Sequence, residues 1–221
     1  MTVAHIVFDL DGTLIDSVEV CTCLVNEMLA DRGCSACVSR TLVRRYISVG
    51  GAKMIAALLG QACRDPERDL KEFRARYARL ATPEDSLFPG VRDGLSELMA
   101  AGYGLAICSN KPQALCEKVL NDLRLSSFFT AVVGGDAVDK AKPHPKHLDC
   151  IIRLIGGQRS SCVMVGDSDV DLMLARNAEV PFILVEYGYG DFSERPDDAL
   201  CAPKFSDVAH LVNSCHCTLR K

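Results

Sequence analysis

The chain has 221 residues, 48% of them apolar and 24% charged, with a formal charge of −4. That length and apolar content support one α/β domain, or a core with a smaller inserted domain, without disulfide or metal staples. Acidic and basic residues are interspersed, so no concentrated basic patch marks a nucleic-acid surface. No apolar run is long enough to span a bilayer. The first residues carry no export signal, because Asp9 and Asp11 interrupt the first apolar stretch. These features predict a cytoplasmic protein that binds neither nucleic acid nor membrane, a monomer or homodimer whose twelve cysteines are thiols. Cys34 with Cys37, and Cys215 with His216 and Cys217, raise a zinc reading. They lie far apart in sequence, however, and read as small apolar fillers or surface thiols.

Val3-Ala-His-Ile-Val-Phe8 is a short apolar run ending at Asp9, the pattern of a buried strand with chemistry at its C-terminal end. Helical spacing follows over 18–31, with Gly33 as a C-cap, and then over 39–46, 52–60 and 65–80. No strand is expected between Ser17 and Asp85. Pro89-Gly90 marks a turn. Beyond it strands at 105–108, 131–133, 162–165 and 182–185 alternate with helices at 91–101, 113–123, 145–155 and 169–178, and a short final helix begins at Asp207. Strands separated by helices imply right-handed crossovers and a parallel sheet. The helical stretch after the first strand then reads as an inserted cap at 17–84, with 1–16 and 85–221 forming the core. Ligands of such sheets bind at the C-terminal edge.

Four segments each follow an expected strand: Asp9-Leu-Asp-Gly-Thr-Leu14, Ser109-Asn-Lys-Pro112, Lys140-Ala-Lys-Pro-His-Pro145 and Gly166-Asp-Ser-Asp-Val-Asp171. Strand ends lie side by side in a parallel sheet, so these segments can converge. A carboxylate beyond a strand end can attack phosphorus and form an acyl phosphate, and Asp9 is the candidate nucleophile. Asp11, two residues on, is the candidate general acid and base. Gly12 permits the tight turn between them and the next residues. Two carboxylates facing a phosphate need a cation, and magnesium suits oxygen ligands from Asp9, the Asp11 carbonyl and Asp167. Asp171, one helical turn past Asp167, is placed to support that cation from behind. The Ser109 hydroxyl, the Asn110 N–H and the Lys142 ammonium are the candidate phosphate donors.

Together these segments resemble the haloacid dehalogenase superfamily of phosphatases. Asp9-x-Asp-Gly-Thr is similar to its first motif, Ser109 to its second, Lys142 to its third and Gly166-Asp-x3-Asp to its fourth, in the same order and strand context. The resemblance covers nearly the whole chain. It implies a Rossmann-like core with an inserted helical cap, and Mg2+-dependent hydrolysis of a small phosphorylated metabolite. It also implies that Lys142 steadies the nucleophile and that Gly12 and Thr13 belong to the phosphate-binding loop. Ser109-Asn-Lys-Pro, Val133-Gly-Gly-Asp, Lys142-Pro-His-Pro, Val165-Gly-Asp-Ser, Tyr187-Gly-Tyr and the segment Val49-Gly-Gly-Ala resemble the phosphoglycolate phosphatase branch, which makes 2-phosphoglycolate the leading candidate substrate. Two positions depart from that branch: Ser109 replaces the usual Thr and keeps the hydroxyl, and Lys53 stands where an acidic residue is common. Lys53 is a candidate substrate contact, and one of Arg44, Arg45 and Lys53 is expected to reach the leaving group if that group carries a carboxylate.

Each residue also has a plainer reading. Asp-Gly is a common turn dipeptide, Ser109-Asn110 can cap a helix, and Lys142 alone reads as a surface lysine. Asp169 reads as solvated or capping, and His144 as packing or phosphate contact in equal measure. Arg44, Arg45 and Lys53 taken singly read as a solvated face. The four motifs in order outweigh these for the core residues. The alternative enzyme is a phosphomutase of the β-phosphoglucomutase kind. A dehalogenase or phosphonate hydrolase fits less well because Asp11 is present, and a non-catalytic module fits less well because Asp9, Asp11, Lys142 and Asp167 are all intact.

Overall fold

The computed structural model of the chain describes residues 3–48, 50–190 and 200–218, with the backbone alone described at 214 and 216–218. Val49, and the side chains of His216 and Cys217, lie outside the described residues. Two compact units are present: Met1–Asp16 with Leu87–Lys221, and Ser17–Ser86. The second junction falls after Ser86 rather than before residue 85. Glu84–Ser86 forms a 3-10 turn, and Leu87 then pairs with Ile15 in an isolated antiparallel bridge.

The Ser17–Ser86 unit is helical: α1 (Val18–Asp31), α2 (Arg40–Ile47), α3 (Gly51–Leu59) and α4 (Pro66–Arg79). The apolar stripe of α1, including Val20, Leu24, Val25 and Met28, is buried, as are Ile55 of α3 and Phe73 and Tyr77 of α4. α1 ends as its sequence predicts, with Gly33 in the left-handed region at φ +75°. α4 starts with Pro66 in its first turn and Asp65 as cap, whose carboxylate accepts from the N–H groups of Glu67 and Arg68 at 3.0 and 3.1 Å. One polar cluster ties the unit together. Arg32 donates to both oxygens of Asp69 at 2.9 Å, to Glu72 at 2.9 Å and to the Ala62 carbonyl at 2.8 Å. Asp69 also accepts from the Arg64 N–H at 2.9 Å.

The other unit is a six-stranded, all-parallel sheet in the order β3-β2-β1-β4-β5-β6. Its strands are β1 (His5–Phe8), β2 (Gly104–Cys108), β3 (Ala131–Val133), β4 (Cys162–Gly166), β5 (Phe182–Val185) and β6 (Leu200–Ala202). Its helices are α5 (Val91–Ala100), α6 (Gln113–Asp122), α7 (Lys146–Leu154), α8 (Asp169–Ala178) and α9 (Val208–Thr218). Side chains alternate across the pleat. Val7, Ala106, Cys108, Cys162 and Met164 pack in one cluster with Leu148, Ile151 and Ile152 of α7 and Leu174, Ala175 and Ala178 of α8. Phe8 points to the opposite face and stacks on Phe205, with ring centroids 5.8 Å apart. Gly94 of α5 makes room for that ring, since a Cβ there would sit 2.6 Å from Phe205. Burial on both faces is why these strands read as continuous apolar runs.

Two elements differ from expectation. β6 is a three-residue edge strand, too short to show a period in sequence. The last helix begins at Val208, after a 3-10 turn at Phe205–Asp207, and runs to Thr218, longer than the short helix expected, with Val212 and Cys215 both buried. Among the described residues, no helix is long and apolar enough to cross a membrane.

The Arg32–Asp69 pair supplies a stability test. The Arg32 hydrogen bonds hold the Asp69 carboxyl well below the usual carboxylate range. Its contribution is therefore present above about pH 4, the unfolded carboxylate pKa, and is lost as pH falls toward the lower folded value. Asp69→Ala, which leaves a largely buried guanidinium without its main partner, should lower stability by roughly 3 kcal/mol at pH 7 in urea unfolding of the full chain. The deficit should shrink on acidification. A loss under about 0.5 kcal/mol would show the pair to be only surface decoration.

Candidate active site

The strand register sets the site. Phe8 of β1 pairs with Ile107 of β2 and Val165 of β4. The residues just past those pairs, Asp9, Ser109 and Asp167, therefore emerge together at the C-terminal edge of three adjacent strands. Backbone bonds continue the ladder there: the Asp9 N–H donates to the Val165 carbonyl at 2.9 Å and the Ser109 N–H to the Val133 carbonyl at 3.2 Å. After β1 the chain turns tightly. Both Leu14 and Ile15 donate N–H groups to the Leu10 carbonyl, at 2.9 and 3.1 Å. Gly12 adopts φ +86°, and a Cβ there would lie 2.2 Å from an Asp167 carboxylate oxygen. Only glycine lets this loop approach Asp167 so closely.

Asp9, Asp167 and Asp171 are all buried, and each offers a carboxylate oxygen within 4.8 Å of the others. Among the described residues this is the one group of three or more potential metal-ligand side chains. Lys142 enters it from the loop after β3, its Nζ 2.7 Å from Asp9 Oδ1 and 2.7 Å from Asp171 Oδ1. The contact with Asp9 is a buried ion pair. Asp171 is held further by the Ser168 hydroxyl at 2.5 Å and the Ser168 N–H at 3.2 Å, within the capping box that opens α8.

Burial, reinforced by the neighbouring Asp171, raises the pKa of both Asp9 and Asp167, while Lys142 pulls it down. Burial alone would lower the Lys142 pKa, but Asp171 and Asp9 outweigh it and the net shift is upward. Three buried carboxyl groups thus face one ammonium. The excess of acidic groups and the all-oxygen donor set fit a hard divalent cation.

The remaining sequence candidates fall into place around this cluster. Asp11 is half-buried, and both its oxygens contact Lys111 Nζ, at 2.9 and 3.0 Å. Ser109 is buried and its Oγ accepts the Lys111 N–H at 3.3 Å. Asn110 is exposed and its side-chain amide donates to the Lys142 carbonyl at 3.1 Å, linking the second and third motif loops. The Thr13 hydroxyl donates to Asp167 at 3.3 Å, so in this structure it serves that carboxylate. Lys53 lies in the first turn of α3, exposed, in the other unit, as are Arg44 and Arg45 of α2. Asp169 is exposed. Cys34 and Cys37 are free thiols.

Three contributors carried no assigned role in sequence. The first is Lys111. The second is the Tyr187-Gly-Tyr189 segment after β5. The Tyr189 N–H donates to Asp167 at 2.7 Å, its hydroxyl reaches Asp16 at 2.9 Å, and the Tyr187 hydroxyl donates to the Thr13 carbonyl at 2.8 Å. A Cβ on Gly188 would lie 2.2 Å from Asp167 and 2.5 Å from the Gly12 carbonyl. The third is His147, fully buried, whose Nδ1 accepts the Lys142 N–H at 3.1 Å while Nε2 bonds the Val133 carbonyl at 3.1 Å. That pairing requires the Nε2–H tautomer. Burial also lowers the His147 pKa to about 4, keeping the ring neutral. His144, flagged in sequence, instead accepts the Lys146 N–H within its own turn. Tyr187-Gly-Tyr189 was the readable signal, a glycine between aromatics just past a strand. His147 gave none, being one histidine on a helix.

The sequence profile of the haloacid dehalogenase-like hydrolase family matches residues 6–185. A phosphoglycolate phosphatase of Caulobacter vibrioides is 36% identical over an alignment covering 96% of this chain and 93% of the relative. One of Mesorhizobium japonicum is 37% identical over 84% of each chain. Among solved structures, a predicted phosphoglycolate phosphatase from Haemophilus somnus superposes with a TM-score of 0.80 at 26% identity, covering 96% of this chain and 98% of that one. With its carboxylate cluster at the end of a 3-2-1-4-5-6 parallel sheet and these relatives along nearly its full length, the chain belongs to the haloacid dehalogenase-like hydrolase family.

Proposed function

We propose that this protein is a magnesium-dependent phosphatase that hydrolyses a small phosphate monoester, with 2-phosphoglycolate as the leading substrate, through a phosphoaspartyl intermediate on Asp9. The observation that carries the reading is the meeting of Asp9, Asp167 and Asp171 with Lys142 at one sheet edge. The relatives named phosphoglycolate phosphatase support the substrate. The free cysteines support a reducing compartment, the cytoplasm.

Asp9 attacks phosphorus, and the bond from phosphorus to the ester oxygen breaks. Asp11 gives its proton to the departing oxygen. In the second half, water attacks the phosphorus of the acyl phosphate while Asp11 takes the water's proton, releasing inorganic phosphate and restoring Asp9. Lys142 keeps Asp9 ionised and aligned, and its charge opposes that of the incoming phosphoryl oxygens. Ser109 Oγ, the Asn110 N–H and the Gly12-Thr13 loop are the further donors around the phosphoryl group. Asp9, the Asp11 carbonyl and Asp167, supported by Asp171, would hold Mg2+, which would supply positive charge to offset that of the acidic pocket. Lys53 is the proposed selector of leaving groups that carry a carboxylate.

Three outcomes test this. Asp9→Asn should lower turnover of p-nitrophenyl phosphate with Mg2+ on the order of a thousandfold or more, with an unchanged circular dichroism spectrum. An inert wild type, on this ester and across a panel of phosphorylated C2 to C6 acids and sugars, defeats the phosphatase reading. Because the Asp9 and Asp167 pKa values are raised without metal, both groups hold protons as pH falls, and the cation must displace them. Mg2+ should therefore raise the melting temperature more at pH 8 than at pH 5.5, and equal shifts would argue against a cation at these carboxylates. Lys53→Ala should reduce kcat/KM for 2-phosphoglycolate severalfold more than for p-nitrophenyl phosphate, equal damage counting against a selector role.

A further inference from the structure

Two ammonium groups stand at this sheet edge, and they are divided between the two carboxylates of the first motif. Lys142 contacts Asp9, and Lys111 contacts Asp11. The Lys111 Nζ lies almost equally far from both Asp11 oxygens, 2.9 and 3.0 Å, so one ammonium holds the carboxylate by both oxygens. Its side chain is 10% exposed against 23% for Asp11, so the lysine forms the inner wall and the carboxylate the outer one.

The base of Lys111 is unusually constrained. Its N–H donates to Ser109 Oγ and its carbonyl accepts the Gly135 N–H at 2.9 Å. A Cβ on Gly134 would lie 2.3 Å from the Gln113 nitrogen and 2.8 Å from the Lys111 carbonyl, and one on Gly135 would lie 2.7 Å from the Asn110 carbonyl. Gln113 seals the same junction: its N–H donates to Asp136 at 2.7 Å and its side-chain oxygen accepts the Gly134 N–H at 2.6 Å. The Val133-Gly-Gly-Asp136 segment is thereby pressed backbone to backbone against the Asn110–Gln113 turn. This packing holds the stem of Lys111 in place.

We propose that Lys111 is a positioning residue for Asp11: its ammonium stays on one carboxyl oxygen while the other takes up a proton and gives it to the ester oxygen as the bond to phosphorus breaks. This rests on the phosphatase reading above and adds to it the residue that governs proton delivery. The consequence is selective. A leaving group that departs readily as an anion needs little help from Asp11, whereas an alkoxide needs the proton.

The test compares Lys111→Met and Lys111→Arg with wild type, in Mg2+, on p-nitrophenyl phosphate and on an alkyl phosphate such as 2-phosphoglycolate or glycerol phosphate. The measured quantity is kcat/KM, which reports steps up to phosphoryl transfer. Lys111→Met should lose on the order of 10- to 100-fold on the alkyl ester and less than about threefold on the aryl ester, with the half-saturating Mg2+ concentration unchanged. Lys111→Arg should recover most of the loss. In an Asp11→Asn background Lys111→Met should cost little more, because the two groups act as one unit. Equal losses on both esters overturn the proposal, as does a higher KM confined to esters bearing a carboxylate with kcat unchanged, which would make Lys111 a substrate contact. A wild type inert on both esters overturns the phosphatase reading and this proposal with it, whereas an active wild type with equal losses overturns the Lys111 proposal alone.

Discussion

Keeping Asp9, Asp167 and Asp171 ionised while buried together costs several kcal/mol for each charge. Lys142 reduces that cost by standing 2.7 Å from both Asp9 and Asp171. The rest of the site depends on this arrangement. The ammonium opposes the burial and mutual repulsion that raise the Asp9 and Asp167 pKa values, although both remain raised. The all-oxygen donor set of the cluster fits a divalent cation. Lys142 is itself aligned through its backbone, since His147 accepts its N–H and stays neutral in doing so.

The carboxylates are held in place by close backbone packing from several loops. Gly12, Gly166 and Gly188 each occupy positions where a Cβ would collide with Asp167 or Asp171, at 2.2 to 2.5 Å. These contacts bring two separate chain segments, around Gly12 and Gly188, against Asp167, and fold the Gly166 turn onto Asp171. Tyr187 and Tyr189 then close the first motif loop from outside, bonding to the Thr13 and Ile15 carbonyls and to Asp16. A site built this way keeps its geometry without substrate, which is what electrostatic preorganisation requires.

Asp9 and Asp11 lie two residues apart yet are served by different lysines from different loops. Asp9 sits in the buried cluster with Lys142, and Asp11 sits nearer the surface with Lys111. The single turn between them thus gives two chemically identical side chains different surroundings, which is the circumstance in which one site can hold two carboxyl groups with different properties.

Much of this was legible in the sequence. Five strands alternating with helices predicted the parallel sheet, and the positions of Asp9, Ser109, Lys142 and Asp167 after four of those strands predicted that they lie at one sheet edge. Period and position carry that information because strand ends in a parallel sheet are neighbours whatever the sequence separation. Other features were decided only by tertiary structure. Lys111 on Asp11, the Tyr189 N–H on Asp167, His147 beneath Lys142 and the edge strand Leu200–Ala202 each depend on which surfaces come within 3 Å. These hydrogen bonds, between residues 5, 22 and 100 apart, leave no periodic trace, since the strength of each is set by distance and angle, and only the folded chain fixes those.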